Sequence, residues 1–183
     1  MKAIVALMLF ACGSAPTLAP APPAPKPESS TPAPATGFAP QLFTVGQLRA
    51  GHAKGRIIEL RMEVDGKTAT LERWEFTVVD DASATIHAIT RDFEGQIIAD
   101  QTSTSTWIEL HKHGQFPAAT TTFEDNVSVT VPAGTFTTRL YTVKTDVGTR
   151  RFWFAVDLPG PPVQFTTEKD GKIAMRAQML RAR

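Results

Sequence analysis

The stretch S-V-T-V-P-A-G-T-F-T-T-R-L-Y-T-V, from Ser128 to Val143, decides the fold class. It contains two β-rich runs separated by Pro132-Ala133-Gly134. Pro132 cannot donate a hydrogen bond to a neighbouring strand, so it belongs at a strand end or an edge. Gly134 permits the positive φ of a tight turn or bulge. The pattern therefore predicts a corner between two strands, in which Pro132 and Gly134 are structural turn residues.

The same alternation of apolar and polar residues continues through the chain from residue 41 to residue 183, as in antiparallel strands with one wet face. Two short helices are predicted at 44–51 and 106–114, each opened by a capping threonine and closed by a glycine. We expect a mainly β domain: a single curved antiparallel sheet or half-barrel, with the helices on its concave side. The predicted strands are 58–64, 73–78, 84–92, 97–101, 127–131, 135–145, 150–156, 163–167 and 172–180.

A different composition precedes this domain, over residues 12–40. Nine of the chain's 14 prolines lie between Pro16 and Pro40, among alanines and few large apolar residues. Such a segment cannot bury enough surface to offset its ordering entropy. Residues 12–40 are therefore predicted to be a disordered, extended tether.

The first 11 residues have the pattern of a signal peptide, with Lys2 ahead of an apolar run that is too short to span a bilayer. Cys12, the only cysteine, follows directly and cannot form an internal disulfide. The stretch Leu9-Phe10-Ala11-Cys12 resembles a bacterial lipobox. The resemblance implies that Cys12 is lipidated and palmitoylated, and that the mature protein is anchored to the membrane by lipid. Gly13 after the cysteine favours the outer membrane by the same analogy. An ordinary secretory signal and a wrongly placed start codon are the alternatives.

The charge balance argues against one class of partner. The chain has 19 Lys+Arg and 18 Asp+Glu, and removal of Lys2 with residues 1–11 leaves 18 of each. A neutral domain lacks the basic surface of a nucleic-acid-binding protein, so no nucleic-acid partner is expected.

The folded part resembles a family of bacterial envelope proteins. Its motifs are T-V-P-A-G-T-F (Thr130 to Phe136), F-W-F-A-V-D-L-P-G-P-P-V-Q-F (Phe152 to Phe165) and T-W-I-E-L-H-K-H-G-Q-F-P-A-A-T-T-T (Thr106 to Thr122). These are similar to the TapB-like family, a domain of unknown function found on lipoproteins. The resemblance implies an architecture like that of the lipoprotein-carrier half-barrels. It identifies no catalytic residue.

Candidate chemistry is sparse along the sequence. His111 and His113 cannot chelate one metal from a helix, because residues two apart point about 200° apart. Asp80-Asp81 is best interpreted as a turn, and no nucleophile motif or phosphate loop is present. No metal, no cofactor and no catalytic residue are therefore predicted.

Two binding roles remain open for the domain. Trp107, Tyr141, Trp153 and Phe154 are candidate ligand-lining residues, although aromatic residues at period two are more often core. A dry core with a scaffold role in the envelope is favoured, with an envelope protein as partner. A carrier of an apolar ligand, such as a lipid or acyl chain, in the periplasm is the alternative. A hydrolase that uses sheet carboxylates is a second alternative.

Overall fold

The computed structural model describes residues 37–183, which form one antiparallel sheet and two short α-helices. No helix within these residues is both long and apolar enough to cross a bilayer. The helices are Val45–Ala50 (α1) and Trp107–Lys112 (α2), and a 3₁₀ turn spans Ala118–Thr120. The strands are Ile57–Val64 (β1), Thr70–Val79 (β2), Ser83–Arg91 (β3), Ile97–Thr106 (β4), Thr121–Val131 (β5), Gly134–Thr145 (β6), Gly148–Ala155 (β7), Gln164–Lys169 (β8) and Lys172–Ala182 (β9).

The strand order is β4-β3-β2-β1-β9-β8-β7-β6-β5, and every neighbouring pair is antiparallel. The chain thus forms two meanders, β1–β4 and β5–β9, which join where the first strand pairs with the last. The predicted mainly β class, with one antiparallel sheet and short helices, is confirmed. The sheet is open, since its order ends at β4 on one side and at β5 on the other.

The two edge strands are longer than the sequence pattern predicts. β4 runs to Thr106 and β5 begins at Thr121, whereas alternation predicted strands only over 97–101 and 127–131. The added segments consist mostly of Thr, Ser and acidic residues, and nearly all of them are exposed. An edge strand that packs against little carries no apolar alternation, so its full length leaves little signal in the sequence.

The corner at Pro132-Ala133 is a two-residue hairpin loop between β5 and β6, with Val131 paired to Gly134. Gly134 has a φ of +136°. The N–H of Ala133 donates to the carbonyl of Met179 in β9 over 3.0 Å. The hairpin tip therefore contacts β9 through a hydrogen bond as well as through buried Val131.

Two groups of buried residues hold the fold together. The central cluster contains residues from β1, β2, β3, β9 and α2, together with the hairpin tip. The aromatic cluster, built mainly on β6 and β7, consists of Ala39, Phe116, Tyr141 and Val143, with Phe152 and Phe154 packed around it. The members of the central cluster are Ile58, Leu60, Phe76, Ala84, Trp107, Val131, Ala155, Val163 and Met179.

Candidate functional site

A cavity of about 270 Å³ lies between the two helices and one face of the sheet. Its wall is mainly aromatic and aliphatic, and it takes side chains from β2, β3, β6, β7 and β8. The sheet contributes Trp74, Phe76, Ile86, Tyr141, Phe152, Phe154 and Phe165; the helices and loops contribute Gln41, Leu42, Phe43, Leu48, His52, Trp107, Leu110, His111, His113, Gly114, Gly160, Pro161 and Pro162.

The strand register explains why the sheet side of the cavity is aromatic. Tyr141 pairs with Phe152, and Phe152 pairs with Phe165, across β6, β7 and β8. Directly paired residues point to the same face of a sheet, and so do residues two apart in a strand. Phe154 therefore shares this face, and the period-two pattern of the sequence places the aromatic rings side by side beneath the helices.

Each helix is fixed at its start by a capping box. In α1, Thr44 Oγ1 accepts from the Gln47 N–H and the Gln47 side chain accepts from the Thr44 N–H. Thr106 and Glu109 make the same reciprocal bonds in α2. These bonds satisfy backbone donors that a helix start leaves free, so both short helices have defined first turns above the sheet.

Trp107 anchors α2 to the sheet. Its side chain is only 2% exposed, and its indole Nε1 donates to the carbonyl of Asp80 over 2.9 Å. Asp80 in turn accepts from the N–H groups of Ala82 and Ser83, which lowers the pKa of its carboxyl. Asp80 is thus held in a turn, as the sequence predicts. This turn holds the indole of Trp107, which forms part of the cavity wall.

Residues 37–43, which we name the strap, run across the cavity beside α2. The Ala39 N–H donates to the carbonyl of Phe116 over 2.9 Å, and Tyr141 Oη donates to the carbonyl of Pro40 over 2.7 Å. His111 Nε2 donates to the carbonyl of Phe43 over 2.8 Å. The strap therefore binds to the domain through both backbone N–H and carbonyl groups, and its residues 37–40 belong to the segment that the sequence assigns to the tether.

His52 is a buried titratable group of the cavity wall. Its imidazole is 7% exposed, and its ring centroid lies 4.4 Å from that of Phe76 and 5.9 Å from that of Trp107. Burial lowers the pKa of His52 from 6.5 to about 4. Nδ1 donates to the carbonyl of Leu48 over 2.7 Å. At neutral pH the ring is therefore uncharged, and Nε2 carries the lone pair.

The candidate ligand-lining residues do not all lie together. Trp107, Tyr141 and Phe154 line the cavity. Trp153 packs against the central cluster and is not part of the cavity wall. Its neighbours Phe152 and Phe154 both line the cavity, and strand alternation directs Trp153 to the opposite face. Three of the four residues therefore share one site.

Other sequence candidates have plain structural positions. His111 bonds the strap, and His113 is the exposed C-cap of α2. Within residues 37–183, no group of three His, Cys, Asp or Glu side chains could hold a metal ion. The loop 157–162 contributes Gly160, Pro161 and Pro162 to the cavity wall. Cys12 lies outside the described residues.

No local sequence pattern identifies His52, Gly160 or the strap as parts of this site. His52 was an isolated histidine, and its position on the cavity depends on packing between α1 and β2. The helix end offers no signal either, because histidine is not an apolar residue and Gly51, which closes α1, has a φ of −78° rather than the positive φ of a Schellman motif.

Comparison with known proteins supports the fold alone. No family model matches the sequence, and no curated protein matches it. The fold resembles that of MucB. Similar structures include MucB in complex with MucA(peri) (TM-score 0.50, 11% identity, 75% of this chain and 53% of that one), the MucA/MucB complex of Pseudomonas aeruginosa (0.50, 11%, 76% and 56%) and MucB itself (0.51, 12%, 76% and 56%). The chain thus spans about half the length of the MucB chains.

Proposed function

We propose that the protein is a non-enzymatic, lipid-anchored envelope protein whose β domain binds one apolar chain in the cavity between the helices and the sheet. The cavity is the observation that carries this proposal. Small-molecule sites are concave, mostly apolar and about 300–1,000 Å³ in volume. The cavity, at about 270 Å³, lies just below this range and has room for one apolar chain but not for a lipid with several chains.

The cavity wall encloses space for an apolar chain, whereas a dry core would leave none. Aromatic side chains from four strands and from α2 line open space, and an apolar chain placed there would contact their exposed ring faces. An apolar cavity of this size is costly to keep empty, because its lining loses dispersion contacts. A bound chain restores those contacts and removes its own surface from water at about 25 cal/mol per Å². The cavity therefore favours the carrier role over the dry scaffold that the sequence favoured.

Native mass spectrometry tests this proposal. The Cys12→Ser chain, purified without detergent, is expected to carry an added mass of one acyl compound or to bind a fluorescent fatty-acid probe at micromolar concentration. Leu110→Trp, which places a larger side chain on the cavity wall, should abolish probe binding, whereas exposed Ile108→Trp on the same helix should not. A clean apo mass together with no probe binding would eliminate the carrier role.

The absence of catalysis is part of the proposal. Among the described residues that line the cavity, none is Asp or Glu, and the hydrolase alternative needs a pair of carboxylates. The nitrogens of His52 and His111 that donate are bonded to backbone carbonyls. A broad hydrolase screen on the purified chain is expected to show no turnover. Turnover that a single carboxylate substitution abolishes would contradict this.

Envelope anchoring rests on the lipobox resemblance at Cys12 and on the Pro-Ala tether after it. With several acyl chains, membrane binding is far stronger than the marginal binding of one. Cells labelled with a radioactive fatty acid should label the parent chain and not the Cys12→Ser variant. Equal label in both chains would rule out the anchor, and fractionation of the parent tests the outer-membrane position.

A second candidate is recognition of an envelope protein along β4. Nine of its ten residues are exposed, and its outer edge pairs with no described strand. An edge of this kind can accept an extended peptide as an added strand. The MucB structures include complexes with MucA, so a protein with this fold can bind a protein partner. A photo-crosslinker at Thr102 should capture one discrete envelope protein, and one at exposed Lys67 should not. Identical products from both positions would refute an edge-specific partner.

A further inference from the structure

The strap is a weakly packed part of the cavity wall. Only one of its seven residues, Ala39, is buried, and Phe38 is 62% exposed. The neighbouring wall elements each have a deeply buried side chain, since Trp107 fixes α2 and His52 fixes the end of α1. A segment with few buried contacts opens at a lower free-energy cost than the core does. The strap can therefore open while α2 and the sheet stay folded.

Hydrogen bonds hold the strap closed, and most of them lead to one segment. Four bonds join it to residues 111–118, and one joins it to β6. Besides the three bonds described above, the Ala118 N–H donates to the carbonyl of Gly37 and Gln41 Nε2 donates to the carbonyl of His111, each over 2.9 Å. Because these contacts are concentrated on the end of α2 and the loop after it, the strap can detach as one unit.

The two ends of the strap define how it can move. At one end residues 12–36 lead into it, and at the other the capping box of Thr44 fixes the first turn of α1. Between them, Gln41, Leu42 and Phe43 line the cavity. Rotation of the strap about Thr44 therefore removes three wall residues together and opens one side of the cavity, while the rest of the wall keeps its contacts.

We propose that the strap is a gate, which detaches from residues 111–118 to admit or release the apolar chain and closes over the chain when it is bound. The proposal rests on the apolar-chain function proposed above and adds the route by which the chain enters. It also couples entry to the tether, because residues 12–36 continue directly into the gate. The residues that connect the domain to its tether thus control access to its cavity.

A β-bridge between Phe38 and Pro117 offers a way to lock the gate. The two backbone hydrogen bonds of the strap flank this pair and do not join it, so it is a non-hydrogen-bonded antiparallel pair. The Cα atoms of such a pair lie about 4.5 Å apart, within the range of about 4.4–6.8 Å that a disulfide needs. Neither residue lines the cavity. Phe38→Cys, Pro117→Cys in the Cys12→Ser chain therefore gives a gate that oxidation locks and reduction frees.

Stopped-flow binding of cis-parinaric acid, a fluorescent fatty acid, to the oxidised and reduced forms tests the proposal. We expect oxidation to slow association and dissociation alike, each by at least about tenfold, and to leave Kd nearly unchanged, because a gate limits rates without altering the bound complex. The matched control is Thr130→Cys, Thr135→Cys in the same chain. These paired, exposed residues of the β5–β6 hairpin have hydroxyl oxygens 2.9 Å apart and lie outside the cavity wall, so their oxidation should change neither rate.

Tyr141→Phe provides a second measurement that needs no cross-link. It removes the bond to the carbonyl of Pro40 and keeps the ring on the cavity wall, so it should speed association. If oxidation of the Phe38→Cys, Pro117→Cys chain leaves both rates unchanged or speeds dissociation, or if Tyr141→Phe fails to speed association, the gate is wrong while the apolar-chain function stands. If the Cys12→Ser chain itself binds no cis-parinaric acid, both proposals are wrong.

Discussion

The stability of the domain should fall on mild acidification because of one residue, His52. Its pKa is lowered from 6.5 to about 4 in the folded protein, chiefly by burial against Phe76 and Trp107. The native state therefore disfavours the protonated ring, and proton uptake favours unfolding. The domain is therefore most stable, with respect to His52, above pH 6.5, and it loses this stability progressively as the pH falls toward 4.

The size of the effect follows from the two pKa values. A difference of one pKa unit corresponds to 1.36 kcal/mol. At pH 5 the unfolded chain has taken up the proton and the folded chain has not. His52 alone should then lower the free energy of unfolding by about 2 kcal/mol relative to pH 7.5. That loss is a large fraction of the 5–15 kcal/mol typical of a whole domain.

The assay compares the parent with His52→Phe, which keeps an aromatic ring beside Phe76 and removes the titration. Urea unfolding at pH 7.5 and pH 5.0, followed by tryptophan fluorescence, gives the acid loss for each chain. Groups common to both chains cancel in the difference. We expect the parent to lose about 2 kcal/mol more than the variant between the two pH values. Equal losses in the two chains would refute the assignment of a buried neutral ring to His52.

The remaining predictions concern glycines that the backbone requires. Gly134→Val should lower the free energy of unfolding by more than about 1 kcal/mol, because a β-branched residue tolerates a φ of +136° poorly; unchanged thermal stability would contradict this. Gly148→Ala should cost about 3 kcal/mol or more, since its Cβ would lie 1.9 Å from the Glu168 carbonyl oxygen. Gly66→Ala is the matched control, because φ is +69° there but no atom lies near the added Cβ, and it should lower the free energy of unfolding by about 1 kcal/mol. Equal losses for the two variants would show that the overlap at Gly148 is relieved by small shifts.

Local rules predicted much of the fold. The capping threonines Thr44 and Thr106 and the period-two alternation depend on neighbours in sequence, so the helices and the central strands were predictable. The ends of β4 and β5 were not, because polar edge residues satisfy no burial pattern. Assignment to the TapB-like family stays a prediction.

The site was less predictable than the fold. The aromatic residues Trp107, Tyr141 and Phe154 were recognised by type, but a cavity is a gap between elements and no sequence pattern encodes it. The face of the sheet on which Trp153 lies follows from the strand register. That register is known only once the pairing of its neighbours Phe152 and Phe154 with β6 is known. The approach of His52 to Gly160 joins residues more than 100 positions apart, and only the folded chain brings them together.

Quenching by a brominated fatty acid is the most direct test of an acyl chain in the cavity. Two of the three tryptophans, Trp74 and Trp107, line the cavity, and Trp153 does not. Bromine quenches indole fluorescence only at close range. At saturating 9,10-dibromostearic acid, the Trp153→Phe chain should lose most of its emission, while the Trp74→Phe, Trp107→Phe chain, in which only Trp153 emits, should keep most of its own. Unquenched emission from Trp74 and Trp107, or equal quenching of the two chains, would contradict a chain bound between the helices and the sheet.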